Sequence, residues 1–253
     1  MAFRRVFEGS EPQRVNKWLA QEGVCSRREA EDLIAKGLVL IDGERVGDPG
    51  HKIAPGQSIE VIEPRTRPQL SIALNKPVGV VSAQPEGDQI PAARLLTRAN
   101  IVGPAGRLPT KRTRLAPLGR LDQDSHGLLL LSEDGVLAKA VIGPQSKLDK
   151  EYLVRVGGAL TGAKLALLRH GLSLDGRQLR PAKVSLAGEQ RLRFVLTEGR
   201  NRQIRRMCDA VDLEVADLIR TRIGPLNLGD LPEGKWRHLT PDECEALIRA
   251  SKG

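Results

Sequence analysis

The sequence predicts an α+β protein made of a small N-terminal module and a larger domain built around a sheet. Two observations carry this expectation. Segments with helical periodicity alternate with short strand-like runs along the chain, and a polar, proline-flanked stretch at residues 64–70 interrupts both patterns. A third bears on the core: only six residues are aromatic (Phe3, Phe7, Trp18, Tyr152, Phe194 and Trp236), so a core must come from Leu, Val, Ile and Ala, which 253 residues supply in sufficient number.

The first module spans residues 12–63. Met1 to Ser10 carries Arg4 and Arg5 without an apolar run and reads as a tail, not a signal peptide. Val15, Trp18 and Leu19 recur at helical spacing. Ser26-Arg27-Arg28-Glu29 is a capping box, in which hydroxyl and carboxylate satisfy each other's orphan backbone donors, so a second helix starts there with Ala30, Leu33 and Ile34 inward and ends near Gly37. Leu38 to Ile41, the turn Asp42-Gly43 and Glu44 to Val46 form a hairpin, and Ile59 and Val61 belong to another strand. Arg14, Lys17, Arg27 and Arg28 are disposed around the two helices.

After the linker, residues 71–253 form the second domain. Strand-like runs at Ile72 to Leu74, Val78 to Ser82, Leu128 to Leu131, Tyr152 to Val156 and Leu192 to Leu196 alternate with helix-like stretches at Val136 to Ile142, Thr161 to His170 and Asn201 to Val211. Between Arg98 and Arg120 lie six cationic residues and no acidic one, among them Lys111, Arg112 and Arg114, in a stretch dotted with Gly and Pro. A loop of this length is either solvated and mobile or functional, and contact with phosphate is the functional expectation.

Composition excludes several classes. Forty Lys and Arg against 31 Asp and Glu leave a net charge of +9, which favours a polyanionic partner, with RNA first. No purely aliphatic stretch exceeds four residues, as at Leu128 to Leu131, far short of the roughly 18 residues of a membrane span. Cys25, Cys208 and Cys244 are odd in number and far apart, with no C-x-x-C pair, so neither a disulfide framework nor a metal site is expected. The expected setting is the cytoplasm, with free thiols.

Three segments carry candidate chemistry. In Gly119 to Gly135 a turn holding Asp122 and Asp124 feeds a strand that closes at Asp134-Gly135. Such carboxylates are most often turn formers, but acids set beside a cationic stretch in a polyanion-binding protein repel phosphate and so call for a purpose. In Glu198 to Cys208, Ile204, Met207, Cys208 and Val211 define a buried helical face, Arg202 and Arg206 share an exposed one, and Arg205 sits at the margin, where its guanidinium could reach a carboxylate. In Lys150 to Val156, alternation puts Tyr152, Val154 and Val156 on one face. A tyrosine there serves the core or stacks an unpaired base.

Gly119 to Gly135, Lys150 to Val154 and Gly199 to Met207 resemble, in order and spacing, the three signature segments of the RsuA-type family of bacterial rRNA pseudouridine synthases. Residues Arg14 to Ile62 resemble the S4 RNA-binding domain that often precedes that catalytic domain. Arg200 to Met207, Arg220 to Ile223 and Gly234 to Thr240 look closest to the RluF-like branch acting on large-subunit rRNA. The resemblance implies an S4 module of αL-type helices plus short strands, and a catalytic domain with a central, mostly antiparallel sheet flanked by helices. It implies Asp122 as the catalytic aspartate, Arg120 as the motif arginine, Tyr152 as the base-stacking ring, Arg205 as the cation paired with the aspartate and Ile204 as an apolar pocket wall. The basic stretch before Gly119 is longer than the family's usual linker.

The implied reaction isomerises a uridine in rRNA, most naturally 23S rRNA: the N1–C1′ bond breaks, the uracil rotates while bound, and C5 bonds to C1′. No metal or cofactor is needed, and a monomer suffices. Base flipping would be offset by stacking on Tyr152 and by phosphate contacts from Arg14, Lys17, Arg27, Arg28, Lys111, Arg112, Arg114, Arg202 and Arg206. Asp122 would act as nucleophile on the sugar or as base toward a ribose proton. The alternatives are a family member acting on 16S rRNA and a non-catalytic S4-type ribosome-assembly factor.

Overall fold

The computed structural model describes residues 3–62, 69–104, 106–110, 113–170 and 172–252. Residues 64–68 of the expected linker, and Lys111 and Arg112 of the basic stretch, lie outside the described residues. The chain divides into two compact units, Met1–Gln69 with Glu133–Lys139, and Leu70–Ser132 with Ala140–Gly253.

In the first unit, β1 (Phe3–Val6) and β2 (Gln13–Arg14) lead into α1 (Val15–Gln21) and α2 (Arg27–Ala35), and β3 (Val39–Ile41), β4 (Glu44–Arg45), β5 (Lys52–Ile53) and β6 (Ser58–Val61) follow. Both halves of the Ser26/Glu29 capping box form: Glu29 N donates to Ser26 Oγ at 3.2 Å and Ser26 N to Glu29 Oε2 at 2.7 Å. Asp42 and Gly43 both take positive φ, as a two-residue hairpin turn between β3 and β4 requires. The sheet order is β1-β6-β3-β4, and β2 pairs with β5. The expectation of an N-terminal tail is corrected here. Phe3 to Val6 pairs antiparallel with β6, and Phe7 is buried edge-on against Trp18, 6.1 Å between ring centroids, because the aromatic-poor core uses both phenylalanines of this segment.

The second unit holds β7 (Ser71–Lys76), β8 (Val80–Val81), β9 (Ile90–Pro91), β10 (Ala116–Pro117) and β11 (His126–Ser132); α3 (Gly135–Ile142) follows, its residues up to Lys139 counted with the first unit, and then come β12 (Lys150–Gly157), α4 (Gly162–Arg169), β13 (Ser173–Leu174), β14 (Arg177–Gln178), β15 (Lys183–Leu186), β16 (Arg191–Leu196), α5 (Gln203–Asp209), β17 (Glu214–Ile223), β18 (Leu226–Asn227), β19 (Trp236–His238) and α6 (Pro241–Ala250). Its main sheet runs β15-β16-β12-β17-β11-β7-β19, with β10 on β11 and β18 on β17. All of its pairings are antiparallel except β11 with β17. From Gly127 to Ser132 every residue of β11 is buried, which is why this strand reads as an uninterrupted apolar run and not as an alternation.

The expected strand at Val78 to Ser82 shrinks to Val80–Val81, because Pro77 to Gly79 forms a turn. The expected helix at Asn201 to Val211 begins two residues late, since Arg202 takes a left-handed conformation (φ 48°). The basic stretch is not one structureless loop. Arg98–Asn100 forms a 3₁₀ turn, Ile101 bridges to Trp236, Leu118 is buried, and Leu108 and Leu115 pack on the core. Among the described residues no helix is long and apolar enough to cross a membrane.

Candidate active site

A cleft of about 700 Å³ opens beside the N-terminal end of β11. Arg120, Asp122, Tyr152, Ile204 and Arg205, which the sequence places far apart, all line it. Three elements bring them together: the turn before β11 carries Arg120 and Asp122, β12 carries Tyr152, and α5 carries Ile204 and Arg205.

The turn that holds Asp122 is tied down carbonyl by carbonyl. Leu121 O accepts from the buried Ser82 hydroxyl at 2.7 Å, and the same hydroxyl accepts from Leu121 N at 2.8 Å. Asp122 O accepts from Ser125 N at 3.1 Å, and Gln123 O from Gly79 N at 2.8 Å. Asp124 O accepts from Arg205 Nη2 at 2.7 Å. Four consecutive carbonyls are thus held from three directions, and the Asp122 carboxylate projects from a rigid support. Behind it Gly127 runs beside Arg220 in the parallel pairing at φ 102°, where an added Cβ would lie 2.4 Å from Arg220 O. Only glycine lets the two strands approach so closely.

The expected pairing of Arg205 with Asp122 is corrected. Arg205 turns to the other carboxylate of the turn: its Nε lies 3.2 Å from Asp124 Oδ2, and its remaining donors go to Asp124 O, Ser125 Oγ and Val215 O. Arg205 Nε makes no hydrogen bond, so that contact is a charge pair only. Arg202 grips Asp124 through both nitrogens, at 3.1 and 2.8 Å, and leaves Nη1 3.9 Å from Asp122 Oδ2. Burial opposes ionisation of Asp124, but the Arg202 hydrogen bonds and the charges of Arg205 and Arg202 outweigh it, and the carboxyl falls below the ordinary aspartate range. The Asp122 side chain is 35% exposed.

Tyr152 is buried to 9% exposure within the core of this unit while its side chain still lines the cleft, so it serves packing and cleft together. Arg206, expected free for RNA, is instead held by Asp175 at 3.0 and 2.6 Å. Arg200 donates to the carbonyls of Leu174, Arg177 and Gln178 and so clasps the β13–β14 hairpin to the cleft wall. Arg114 is exposed, as are Arg14, Lys17, Arg27 and Arg28 of the first unit. Arg27 and Arg28 occupy the first turn of α2, where positive charge opposes the helix dipole, a cost that an anionic ligand would remove.

Sequence reasoning missed Ser82, Lys76 and Arg220. Lys76 is fully buried on β7, with Nζ donating to Val80 O at 2.7 Å and Pro77 O at 2.9 Å. Burial pulls its pKa down to about 8, against the upward pull of Asp122 and Asp124. It places a cation beneath the turn. The signal in the sequence was a lysine closing an apolar strand immediately before a proline turn.

The family model described as RNA pseudouridylate synthase matches residues 70–210, and the S4 domain model matches residues 13–59. The chain is 38% identical over 245 residues to a dual-specificity RNA pseudouridine synthase RluF of Salmonella typhi, covering 95% of this chain and 80% of that protein. It is 35% identical to a ribosomal large subunit pseudouridine synthase B of Bacillus subtilis (strain 168), over 93% of this chain and 95% of that one. A crystal structure of a pseudouridylate synthase superposes with a TM-score of 0.64 at 27% identity, covering 94% of this chain and all of the other.

Proposed function

This chain belongs to the RNA pseudouridylate synthase family, with an S4 domain ahead of its catalytic region, and we propose that it converts a uridine of 23S rRNA to pseudouridine using Asp122. The observation that carries the assignment of Asp122 is the clamped turn: this carboxylate alone in the motif is offered to the cleft on a support fixed at every carbonyl, while Asp124 is consumed by two arginines. The large-subunit target is supported by the Bacillus subtilis relative, which is named as a ribosomal large subunit pseudouridine synthase.

In the reaction the N1–C1′ bond breaks, its electron pair leaves with the uracil, the base turns within the cleft, C5 bonds to C1′, and the C5 proton is lost as N1 gains one. Asp122 serves either by attacking C1′ as the N1–C1′ bond breaks, to be displaced when C5 bonds there, or by taking the C2′ proton and returning it once C5 has bonded, and both roles need its carboxylate beside C1′ and C2′. Tyr152 offers a ring on which the flipped base stacks, and Ile204 the apolar wall opposite a polar turn. Exposed cations of the S4 domain (Arg14, Lys17, Arg27, Arg28) and Arg120 and Arg114 of the catalytic region hold the RNA backbone, and the enzyme works in the cytoplasm as a monomer.

Mapping pseudouridines in the rRNA of a strain lacking this protein tests the reading. Loss of a modification from 23S rRNA, restored by the wild-type gene, is expected. Loss confined to 16S rRNA overturns the large-subunit target, and an unchanged map of both overturns rRNA as the substrate.

A further inference from the structure

Two further cations, Lys150 and Arg220, line the cleft. Register pairs Tyr152 with Arg220 across β12 and β17, and Lys150 precedes Tyr152 by two residues on the same face of β12. Ring and cations therefore share one wall of the cleft, with Leu218 beside them. Arg220 is 1% exposed; Nε donates to Leu128 O at 2.7 Å and Nη1 to Arg120 O at 3.4 Å, but Nη2 is buried without a hydrogen-bond partner. Asp149, the acid next to Lys150, is gripped by Arg222 at 2.7 and 3.1 Å. Burial, and then the charge of Arg220, make the Lys150 amine harder to protonate than that of an ordinary lysine.

A buried guanidinium with an unmet donor and a second cation at its side is costly in the free protein. The arrangement becomes favourable when negative charge arrives next to Tyr152. The reaction generates such a charge there: as N1–C1′ breaks, the electron pair leaves with the uracil and spreads over N1 and the two carbonyl oxygens. That charge is absent from the bound uridine and develops only on the way to cleavage, the condition under which preorganised donors lower a barrier.

Building on the pseudouridine synthase reading, we propose that Lys150 and Arg220 are further catalytic residues, a cationic subsite that receives the carbonyl oxygens of the departing uracil anion. The same two cations could instead bind a phosphate of the substrate RNA, but a phosphate carries its charge before, during and after the reaction, and its loss would be felt in binding and not in turnover.

The test uses the full chain in single-turnover reactions at saturating enzyme, with large-subunit rRNA transcripts made from uridine or from 5-fluorouridine. C-glycosidic product is read by mass spectrometry of the nuclease digest. Fluorine stabilises the departing anion by itself and so relieves the need for the cations. Lys150→Gln is expected to slow the uridine reaction by about 100-fold, the scale of removing one charge-stabilising donor, with a clearly smaller loss on the fluorinated RNA. Arg220→Lys, checked for folding by its thermal melt, is expected to show the same asymmetry. Equal losses on both RNAs, or a loss confined to RNA affinity, overturn the assignment. A wild-type enzyme inert on both transcripts overturns the underlying reading, and this one with it.

Discussion

Arg205→Met separates the support of the catalytic turn from the stability of the fold. Methionine keeps much of the apolar stem of Arg205, which is only 14% exposed, and removes the guanidinium. Lost with it are the 2.7 Å bond to Asp124 O, the weaker contacts to Ser125 Oγ and Val215 O, and the charge pair with Asp124. Water can replace the donor at the exposed Asp124 carbonyl, and the Asp124 carboxylate is 45% exposed, so screening reduces the ion-pair loss; the stability cost is about 1–2 kcal/mol. Activity has more to lose. One of the four tethers on the turn disappears, and a displacement of about 1 Å in a catalytic group costs on the order of 100-fold, equivalent to about 2.7 kcal/mol. Urea unfolding gives the first quantity and single-turnover pseudouridine formation the second. Turnover within threefold of wild type at an unchanged urea midpoint would refute the reasoning, because the helix α5 tether would then hold nothing that matters.

Tyr152→Ala should weaken productive RNA binding by about 1–3 kcal/mol through lost stacking, while Tyr152→Phe keeps the ring and stays within a few-fold of wild type; filter binding and turnover together separate the two effects. Gly127→Ala should destabilise the protein by at least about 3 kcal/mol in urea unfolding, since it combines a positive φ with a Cβ 2.4 Å from a neighbouring carbonyl; a loss below about 1 kcal/mol would show that β11 and β17 separate easily. The Arg222 hydrogen bonds hold Asp149 below its usual pKa, and those of Arg237 do the same for Glu243. Each such carboxyl, being depressed in the folded state, contributes stability that is complete above its unfolded value of about 4 and is lost as pH falls through the folded value. The urea midpoint should therefore drop below about pH 4, less steeply in Asp149→Asn, and an identical pH profile for that variant would remove Asp149 from the explanation.

Local chemistry was the most legible part of the fold. The Ser26/Glu29 box, the Asp42-Gly43 turn and the apolar run of β11 act within a few residues, and each signals itself. Thr240 to Glu243 forms a second capping box, at the start of α6, that the same rule could have found. β17 escaped because Glu214, Asp217, Arg220 and Arg222 break its apolar pattern, although it lies at the centre of the sheet. At the site, the residues that meet in the cleft were legible through their motifs, but their partners were not. Asp122 and Asp124 are two residues apart, and only the direction of the turn decides that Arg202, just ahead of α5, and Arg205 within it take Asp124. Ser82 grips Leu121 from 39 positions away, and Lys76 has the composition of a surface residue until β7 is seen buried along its length.

The central claim is that Asp122 performs the chemistry on a turn held in place by the rest of the site. Tritium release from large-subunit rRNA labelled at uridine C5 measures this directly, with wild type and Asp122→Asn compared at equal thermal stability. Wild type should release label in step with pseudouridine formation, and Asp122→Asn, which keeps size and hydrogen bonding but lacks the charge, should release none above background. Release by Asp122→Asn at a rate near that of wild type would contradict the account.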